Sequence, residues 1–320
     1  MAKRRSDDHW VPDNERRYAA IDIGSNGVRL LLSKVITSGD YIVFTKESLV
    51  RMPIRLGADV FRDGRISDKL GNKLVSTMAG FGKLVEAYDP VAFRACATSA
   101  MREASNGSDI CQRISNESEL NIEIISGGVE AEIIFASHIA ETLDPKNAYL
   151  YIDVGGGSTE LTLFARNERV ASRSFPVGTV RMLNDQVSEE TWRTMKRWVK
   201  DNTPKKVVLK AIGSGGNMNK IYRLAGKKSG KPVSFDKMLD IDKMLNRHSI
   251  EERIRVLNLR PDRADVIIPA SRIFTSIMKW GKIKKIFVPQ FGLADGLVHM
   301  MHDNFLNENG QPAGEGSARD

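Results

Sequence analysis

Apolar and polar positions along the chain fall into one pattern that occurs twice. YAAIDIGSNGVRLLLSKV begins at Tyr18, and YLYIDVGGGSTELTLFAR begins at Tyr149. Laid over each other without gaps, the copies pair Ile21 with Ile152, Asp22 with Asp153, Gly24 with Gly155, Leu30 with Leu161 and Leu32 with Leu163. Each copy reads as a strand ending in an aspartate, a glycine-rich turn and a returning strand with alternating apolar residues, which is the pattern of a β-hairpin. The repeat divides the chain into two related halves.

The remaining periodicities fill in those halves. YIVFTKESL, from Tyr41, predicts a third strand, and 67–88 has apolar residues at helical spacing behind a serine cap. VAFRACATSAMRE reads as a strand followed by a loop; a helix near 109–120, the strand IEII, the turn SGG and a helix over about 129–142 follow. Asp144-Pro145-Lys146-Asn147 is turn-rich and marks the boundary between halves. The second half predicts strands near 148–154, 159–165 and 169–175, a helix over about 188–202, a buried strand VVLKAIG and the glycine turn GSGGN. Helices fill much of 216–280, Pro261 opening the one that carries RADVIIPASRIF. KKIFV is the last strand and 294–307 the last helix. The expected division is an N-terminal arm (1–17), a first lobe (18–145) against which the last helix is free to pack, a second lobe (146–307) and a disordered tail (308–320).

The turns carry the first hint of chemistry. Gly24 and Gly155, Gly156 and Gly157 can adopt positive φ and lack a Cβ, so successive backbone N–H groups can converge on an anion. Asp22 and Asp153 end their strands beside these turns, where a carboxylate can hold Mg²⁺ against phosphate oxygens. Two such hairpins facing across a cleft would grip a polyphosphate chain. An ordinary tight hairpin explains either turn taken alone; the pair, each with its aspartate, favours phosphate.

Composition narrows the partners. The chain has 320 residues, 41% hydrophobic and 28% charged, ordinary for a soluble globular protein with room for two domains. The opening MAKRRSDDHWVPDNERR has no apolar segment, so neither a signal peptide nor a membrane span is expected there, and the expected location is the cytoplasm. Cys96 and Cys111 lack metal-ligand or redox spacing and read as free buried thiols. The net charge of +8 clusters in Arg193, Lys196, Arg197, Lys200, Lys205, Lys206 and Lys210, then Lys220, Arg223, Lys227, Lys228 and Lys231. Such a field suits a polyanion, and a solvated basic face explains it as well. No zinc-finger spacing, aromatic RNA-binding strand or helix-turn-helix accompanies it, so no specific nucleic-acid partner is expected.

Two matching halves with glycine turns beside aspartates resemble the acetate kinase, sugar kinase, Hsp70 and actin superfamily. The implied fold is α/β: two ribonuclease H-like lobes with mixed β-sheets and a cleft between them. Within that superfamily the chain is similar to the exopolyphosphatase and guanosine pentaphosphate phosphatase family. The motifs that carry the resemblance run in order: IDIGSNGVRL at 21–30, RLG at 55–57, TSAMREA at 98–104, IEIISGGVEAEIIF at 122–135, IDVGGGSTEL at 152–161, FPVGTVRM at 175–182, AIGSGGN at 211–217 and RADVI at 263–267. Together they span about Tyr18 to His302.

By position, the resemblance implies that Glu130 activates the attacking water, a role that also suits in-line phosphoryl transfer. Its plain alternative is an acid in the first turn of a helix. Asp153 and Glu160 match the metal ligands, with Asp22 as an outer contact, and Mg²⁺ is the implied ion, with Mn²⁺ as an alternative. Arg29 and Arg102 match positions suited to hold substrate oxyanions, and Arg102 is counted as catalytic together with Glu130; Arg263 is a further candidate, and each could instead form an internal salt bridge. Ser25, Asn26 and Gly27, with Gly155, Gly156, Gly157 and Ser158, would offer donors to phosphate, and Gly215 and Gly216 lie where superfamily relatives place nucleotide. The implied substrate is polyphosphate or guanosine pentaphosphate, and a homodimer is compatible with this reading.

Three departures qualify the resemblance. Gly27 stands where the family carries serine or threonine, Val129 replaces an acid before Glu130, and Ala294-Asp295 replaces arginine-glutamate. The first two motivate a rival reading as a non-catalytic polyphosphate or nucleotide sensor. A kinase of the same fold is a second rival, and SGGVEA argues against it. Longer relatives carry a further helical C-terminal region, so distributive action on long chains is the matching expectation.

Overall fold

The computed structural model describes residues 14–39, 41–135, 144–166, 168–228, 230–289 and 291–309. The first repeat forms β1 (Asn14–Gly24) and β2 (Gly27–Ser38), joined by Ser25 and Asn26, and β3 (Tyr41–Met52) continues antiparallel. β1 starts before the repeated phrase, so 14–17 of the expected arm pair with β2 from Asn14↔Thr37 to Arg17↔Lys34. Two helices follow, α1 (Leu56–Asp63) and α2 (Asp68–Tyr88), and the hydroxyl of Ser67 accepts the Leu70 N–H to cap α2. β4 (Ala92–Ala97) runs parallel to β1; α3 (Ser99–Glu103), α4 (Gly107–Ser118), β5 (Ile122–Ile124) and α5 (Gly127–Phe135) complete the half. The C-terminal part of the helix expected up to 142 and the expected tail from 310 lie outside the described residues.

The second repeat builds β6 (Ala148–Val154), β7 (Thr159–Ala165) and β8 (Glu168–Phe175) in the same antiparallel order. Then come α6 (Thr179–Leu183), α7 (Glu189–Asp201), β9 (Leu209–Ser214), α8 (Gly216–Leu224), β10 (Val233–Ser234), α9 (Phe235–Arg247), α10 (Ile250–Arg255), α11 (Pro261–Ala264), α12 (Ile267–Trp280), β11 (Lys285–Phe287) and α13 (Leu293–Glu308). The sheets read β3-β2-β1-β4-β5 and β8-β7-β6-β9-β11-β10. Five strands thus match one for one, and the sequence repeat is a duplicated α/β lobe of ribonuclease H-like order with mixed sheets.

Some elements differ from the pattern-based expectation. The stretch after β4 holds α3 rather than only loop, α6 and β10 were not anticipated, and the strand in VVLKAIG starts at Leu209, leaving Val207 and Val208 exposed. Pro261 opens only the one-turn α11; a turn at Asp265 and Val266 separates it from α12, although the apolar periodicity runs through.

Both faces of each sheet are covered, which the alternation alone would not require. In the first lobe Ala19, Ile21 and Ile23 of β1 pack with Leu74, Val75 and Met78 of α2, whereas Tyr18 and Ala20 point the other way, onto Leu297, Val298 and Met301 of α13. The last helix therefore crosses back to the first sheet. It lies so close to α5 that a Cβ at Gly296 would sit 2.1 Å from the carbonyl oxygen of Ile133. In the second lobe Leu150, Ile152, Leu161 and Leu163 meet Ile273, Phe274 and Ile277 of α12 in the largest core. No helix among the described residues is long and apolar enough to cross a membrane.

Candidate active site

The carboxyl ends of β1 and β6 and the β1–β2, β6–β7 and β9–α8 turns open onto one cleft between the lobes, a cavity of about 210 Å³. Asp22, Ser25, Asn26, Gly27, Arg29, Glu130, Asp153, Gly155, Gly156, Ser158, Glu160, Gly215, Gly216 and Arg263 all line it. Gly157 and Arg102 do not. Gly157 is used for packing: a Cβ there would lie 2.3 Å from the ring of Phe61 and 2.5 Å from Ser99 Oγ, both in the first lobe. Arg102 turns its Nη1 to the carbonyl of Ile125, 2.6 Å away.

The glycines serve mainly by lacking a Cβ rather than by left-handed backbone. Of the glycines in these turns only Gly215 has positive φ, at 96°. Gly156 approaches Ser25 so closely that a Cβ would stand 2.9 Å from the serine's own Cβ, bringing the two turns face to face. Each turn is braced from behind by the segment after its third strand: the Gly57 N–H donates to Ser25 O at 2.8 Å, and the Thr179 N–H donates to Gly155 O at 3.0 Å. Ser25 Oγ and Ser99 Oγ share a hydrogen bond of 2.8 Å.

Glu130 sits in the first turn of α5, whose amino end is held by Ser126: its Oγ accepts the Val129 N–H at 3.2 Å, and its carbonyl accepts the Glu130 N–H at 2.9 Å. Gly127 lets α5 press against β8, since a Cβ there would lie 2.7 Å from Ser174 Cβ. Ser174 in turn donates to Glu160 Oε1 at 2.9 Å. Glu130 is 8% exposed, and its Oε2 is buried without a hydrogen-bond partner. Burial pushes its carboxyl well above the usual range, and the charges of Glu160, Asp153 and Asp22 push it further, with Arg102 opposing. Asp153 is raised to about 7 by burial and then by Glu160; Glu160 is raised by burial, with Ser158 and Ser174 hydroxyls countering.

The two hairpins hold opposite pairs at one register position. Asp22 lies across from Arg29, and the two form a short ion pair; Asp153 lies across from Glu160, two acids side by side. A buried acidic pair with no ion-pair partner of its own among the described residues and a third buried carboxylate in the same cavity suits a cation. Among the described residues no three acidic, histidine or cysteine side chains converge as ligands of one ion.

Other residues had no role assigned from the sequence, although Arg55, Asp265 and Arg181 lie within the motifs RLG, RADVI and FPVGTVRM. Arg51 of β3 contacts Asp262 across the cleft at 2.5 Å, and Arg55 meets Asp265 at 2.7 Å. Arg181 lies over the Phe61 ring at 4.1 Å, donates to Gly157 O at 2.7 Å and pairs with Glu103. These contacts join the lobes, and only the fold brings their partners together. Asp265 being taken by Arg55, Arg263 is free of that neighbour and faces the cavity. At the first departure Arg51 fills the space beside Gly27; at the second Val129 packs with the α13 core; at the third Asp295 accepts the Gly292 N–H at 2.9 Å and pairs with Lys46 at 2.6 Å.

Of the basic clusters, Arg193, Lys196, Arg197, Lys200, Lys205 and Lys206 form an exposed face on and after α7, away from the cavity lining. Lys220 and Arg223 lie on α8, whose first residues line it. Cys96 is buried and Cys111 partly so; both are free, and burial raises their thiols to about 12 and about 11.

This architecture matches known proteins. An exopolyphosphatase from Cytophaga hutchinsonii superposes with a TM-score of 0.79 at 22% identity over 90% of this chain and 98% of that one. The Ppx/GppA family member of Aquifex aeolicus gives 0.72 at 23% identity over 92% and 99%. In sequence the chain is 29% identical to a bifunctional 3-dehydroquinate synthase/phosphatase of Fusobacterium nucleatum over 82% of its own length, and it spans only 43% of that protein. Exopolyphosphatase 1 of Mycobacterium leprae is 22% identical over 88% of both chains. Residues 41–305 match the profile of the Ppx/GppA phosphatases. With the duplicated lobes and their shared cleft, that match assigns the chain to the Ppx/GppA phosphatase family.

Proposed function

We propose that this protein hydrolyses the terminal phosphoanhydride of inorganic polyphosphate or guanosine pentaphosphate in the cytoplasm, releasing orthophosphate. The observation that carries the reading is Glu130, a buried carboxylate with an unpartnered oxygen, facing two glycine turns and the Asp153–Glu160 pair in one cavity. Backbone donors of 25–27 and 156–158 cradle the terminal phosphate, the Gly155 N–H being spent on Ser158 O within the turn. Glu130 orients water in line with phosphorus and takes its proton as the new P–O bond forms and the bridging P–O bond breaks, leaving a substrate one phosphate shorter. Arg102 acts as a positioning residue: its charge restrains the upward shift of Glu130 and Glu160. Mg²⁺, with Mn²⁺ as the alternative, would be held by Asp153 and Glu160 with Asp22 as an outer contact, and supplies positive charge against the carboxylates and the substrate's oxyanions.

The test is orthophosphate release from long polyphosphate, short polyphosphate, guanosine pentaphosphate and ATP, with and without Mg²⁺. Release from one of the first three without an acceptor alcohol, abolished by chelation, is expected. Phosphate transferred to an added sugar or acid would show a kinase, and binding without release would show a sensor.

A further inference from the structure

The residue that fills the space beside Gly27 is itself equipped to bind an anion. A Cβ at Gly27 would stand 2.8 Å from Nη2 and 3.1 Å from Cζ of Arg51, so the guanidinium rests against the turn because position 27 has no side chain. Its Nη2 donates to Asn26 O at 3.1 Å and touches Asp262 Oδ2, which lies within ion-pair distance but outside hydrogen-bond geometry. Nε and Nη1 have no partner, although the side chain is only 8% exposed and lines the cavity. Buried guanidinium donors left unmet are costly, and the planar fork matches two phosphate oxygens.

A second arginine mirrors this arrangement in the other lobe. A Cβ at Gly216 would lie 2.7 Å from Nη2 of Arg263, so this guanidinium also lies over a turn glycine. Burial lowers Arg263 to about 10, and the charge of Arg51 is the next cause, followed by Arg29. Arg29 lines the same cavity: it is held by Asp22, feels Asp153 and Asp295, and repels Arg51 and Arg263. The cavity lining therefore carries the buried carboxylates Glu130, Asp153 and Glu160 together with Arg29, Arg51 and Arg263, and Arg51 has Asp262 of the other lobe as its ion-pair partner.

We propose that Arg51, admitted by Gly27 and facing Arg263, is the ligand for a non-terminal phosphate of the substrate. The inference rests on the phosphohydrolase reading above and adds a second subsite to it. A terminal phosphate bound at the glycine turns leaves the next phosphate of the chain in need of a counter-charge, and the unmet Nε and Nη1 donors supply it. The competing role for Arg51 is purely mechanical, a latch to Asp262 that holds the lobes together.

Calorimetric binding separates these roles, with a methylene-bridged triphosphate that cannot be hydrolysed as the long probe and orthophosphate as the short one, both with Mg²⁺. Arg51→Met weakens the triphosphate at least tenfold and orthophosphate less than twofold. Gly27→Ala, which displaces the guanidinium without removing it, weakens the triphosphate severalfold and keeps the test available if the methionine variant misfolds. Asp262→Asn, which breaks the latch but frees the arginine, leaves triphosphate affinity unchanged or tighter. Normal triphosphate binding by Arg51→Met or Gly27→Ala overturns the inference, and so does an Asp262→Asn loss equal to that of Arg51→Met. A wild-type protein that binds neither probe overturns the phosphohydrolase reading and this subsite with it.

Discussion

The first hairpin places arginine opposite its aspartate, and the second places glutamate there. Asp22 and Arg29 share the register position that Asp153 and Glu160 share, on backbones of the same order. In the first lobe the charges cancel: Asp22 raises Arg29 and holds it against the turn. In the second they add, and Asp153 rises to about 7 under burial and the charge of Glu160. On the reading proposed above, one duplicated scaffold would thus yield an oxyanion-binding wall and a cation-binding wall. The difference lies in one residue type at one equivalent position, and the chemistry of the cleft follows from their facing each other.

The largest expected effect concerns stability of the metal-free protein. Asp153 has a folded value of about 7 against an ordinary 3.8. A raised group lends its full stability below the ordinary value and loses it as pH climbs through the raised one, here from about 4 to about 7. About three units at about 1.4 kcal/mol each sets an upper bound of roughly 4 kcal/mol. Asp153→Asn should therefore raise the denaturation midpoint of chelated protein at pH 8 and lose that advantage near pH 4. Asp22→Asn should do the reverse at pH 8, destabilising by leaving Arg29 unpaired. Equal responses of the two variants in urea melts across pH would erase the distinction between the hairpins.

Next in size is catalysis. Glu130→Gln keeps the shape of the side chain and removes its basicity, so kcat for orthophosphate release should fall at least about a hundredfold while KM stays within a few fold. Smaller effects are expected where the two turns are braced. At Gly178 a Cβ would lie 2.3 Å from the backbone oxygen of Gly156, whereas at Gly57 it meets first the Phe61 ring at 2.6 Å. Backbone cannot step aside as a ring can, so Gly178→Ala should cost about 1–3 kcal/mol in urea melts and Gly57→Ala less.

Much of the fold was legible because it is written in local patterns. The hairpins announced themselves by paired aspartates and alternation, and α2 by a serine cap ahead of apolar spacing, at Ser67. The five-residue α3 and α6 were missed because so few residues show no period. The break before α12 was hidden because Val266 and Ile267 are both buried, which keeps the apolar run continuous across the turn. In the cleft, glycines and acids on the repeated phrase were readable, and the pairings of Arg51, Asp262 and Arg181 were not. Their partners lie far away in sequence, as with Arg51 and Asp262 in opposite lobes, and no local pattern encodes such a meeting. Of the two reasons the sequence offered for the turn glycines, the missing Cβ accounts for close approach at most of them, and positive φ applies only at Gly215.

The central claim is that the acid opposite Asp153 makes the second hairpin the cation site. Glu160→Arg gives that hairpin the pairing of the first, and calorimetric titration of the folded variant with Mg²⁺ measures the consequence directly. The account predicts that Mg²⁺ affinity falls at least tenfold in Glu160→Arg while Arg29→Met, which unmasks Asp22 in the other hairpin, retains it. Undiminished Mg²⁺ binding by Glu160→Arg would contradict the account.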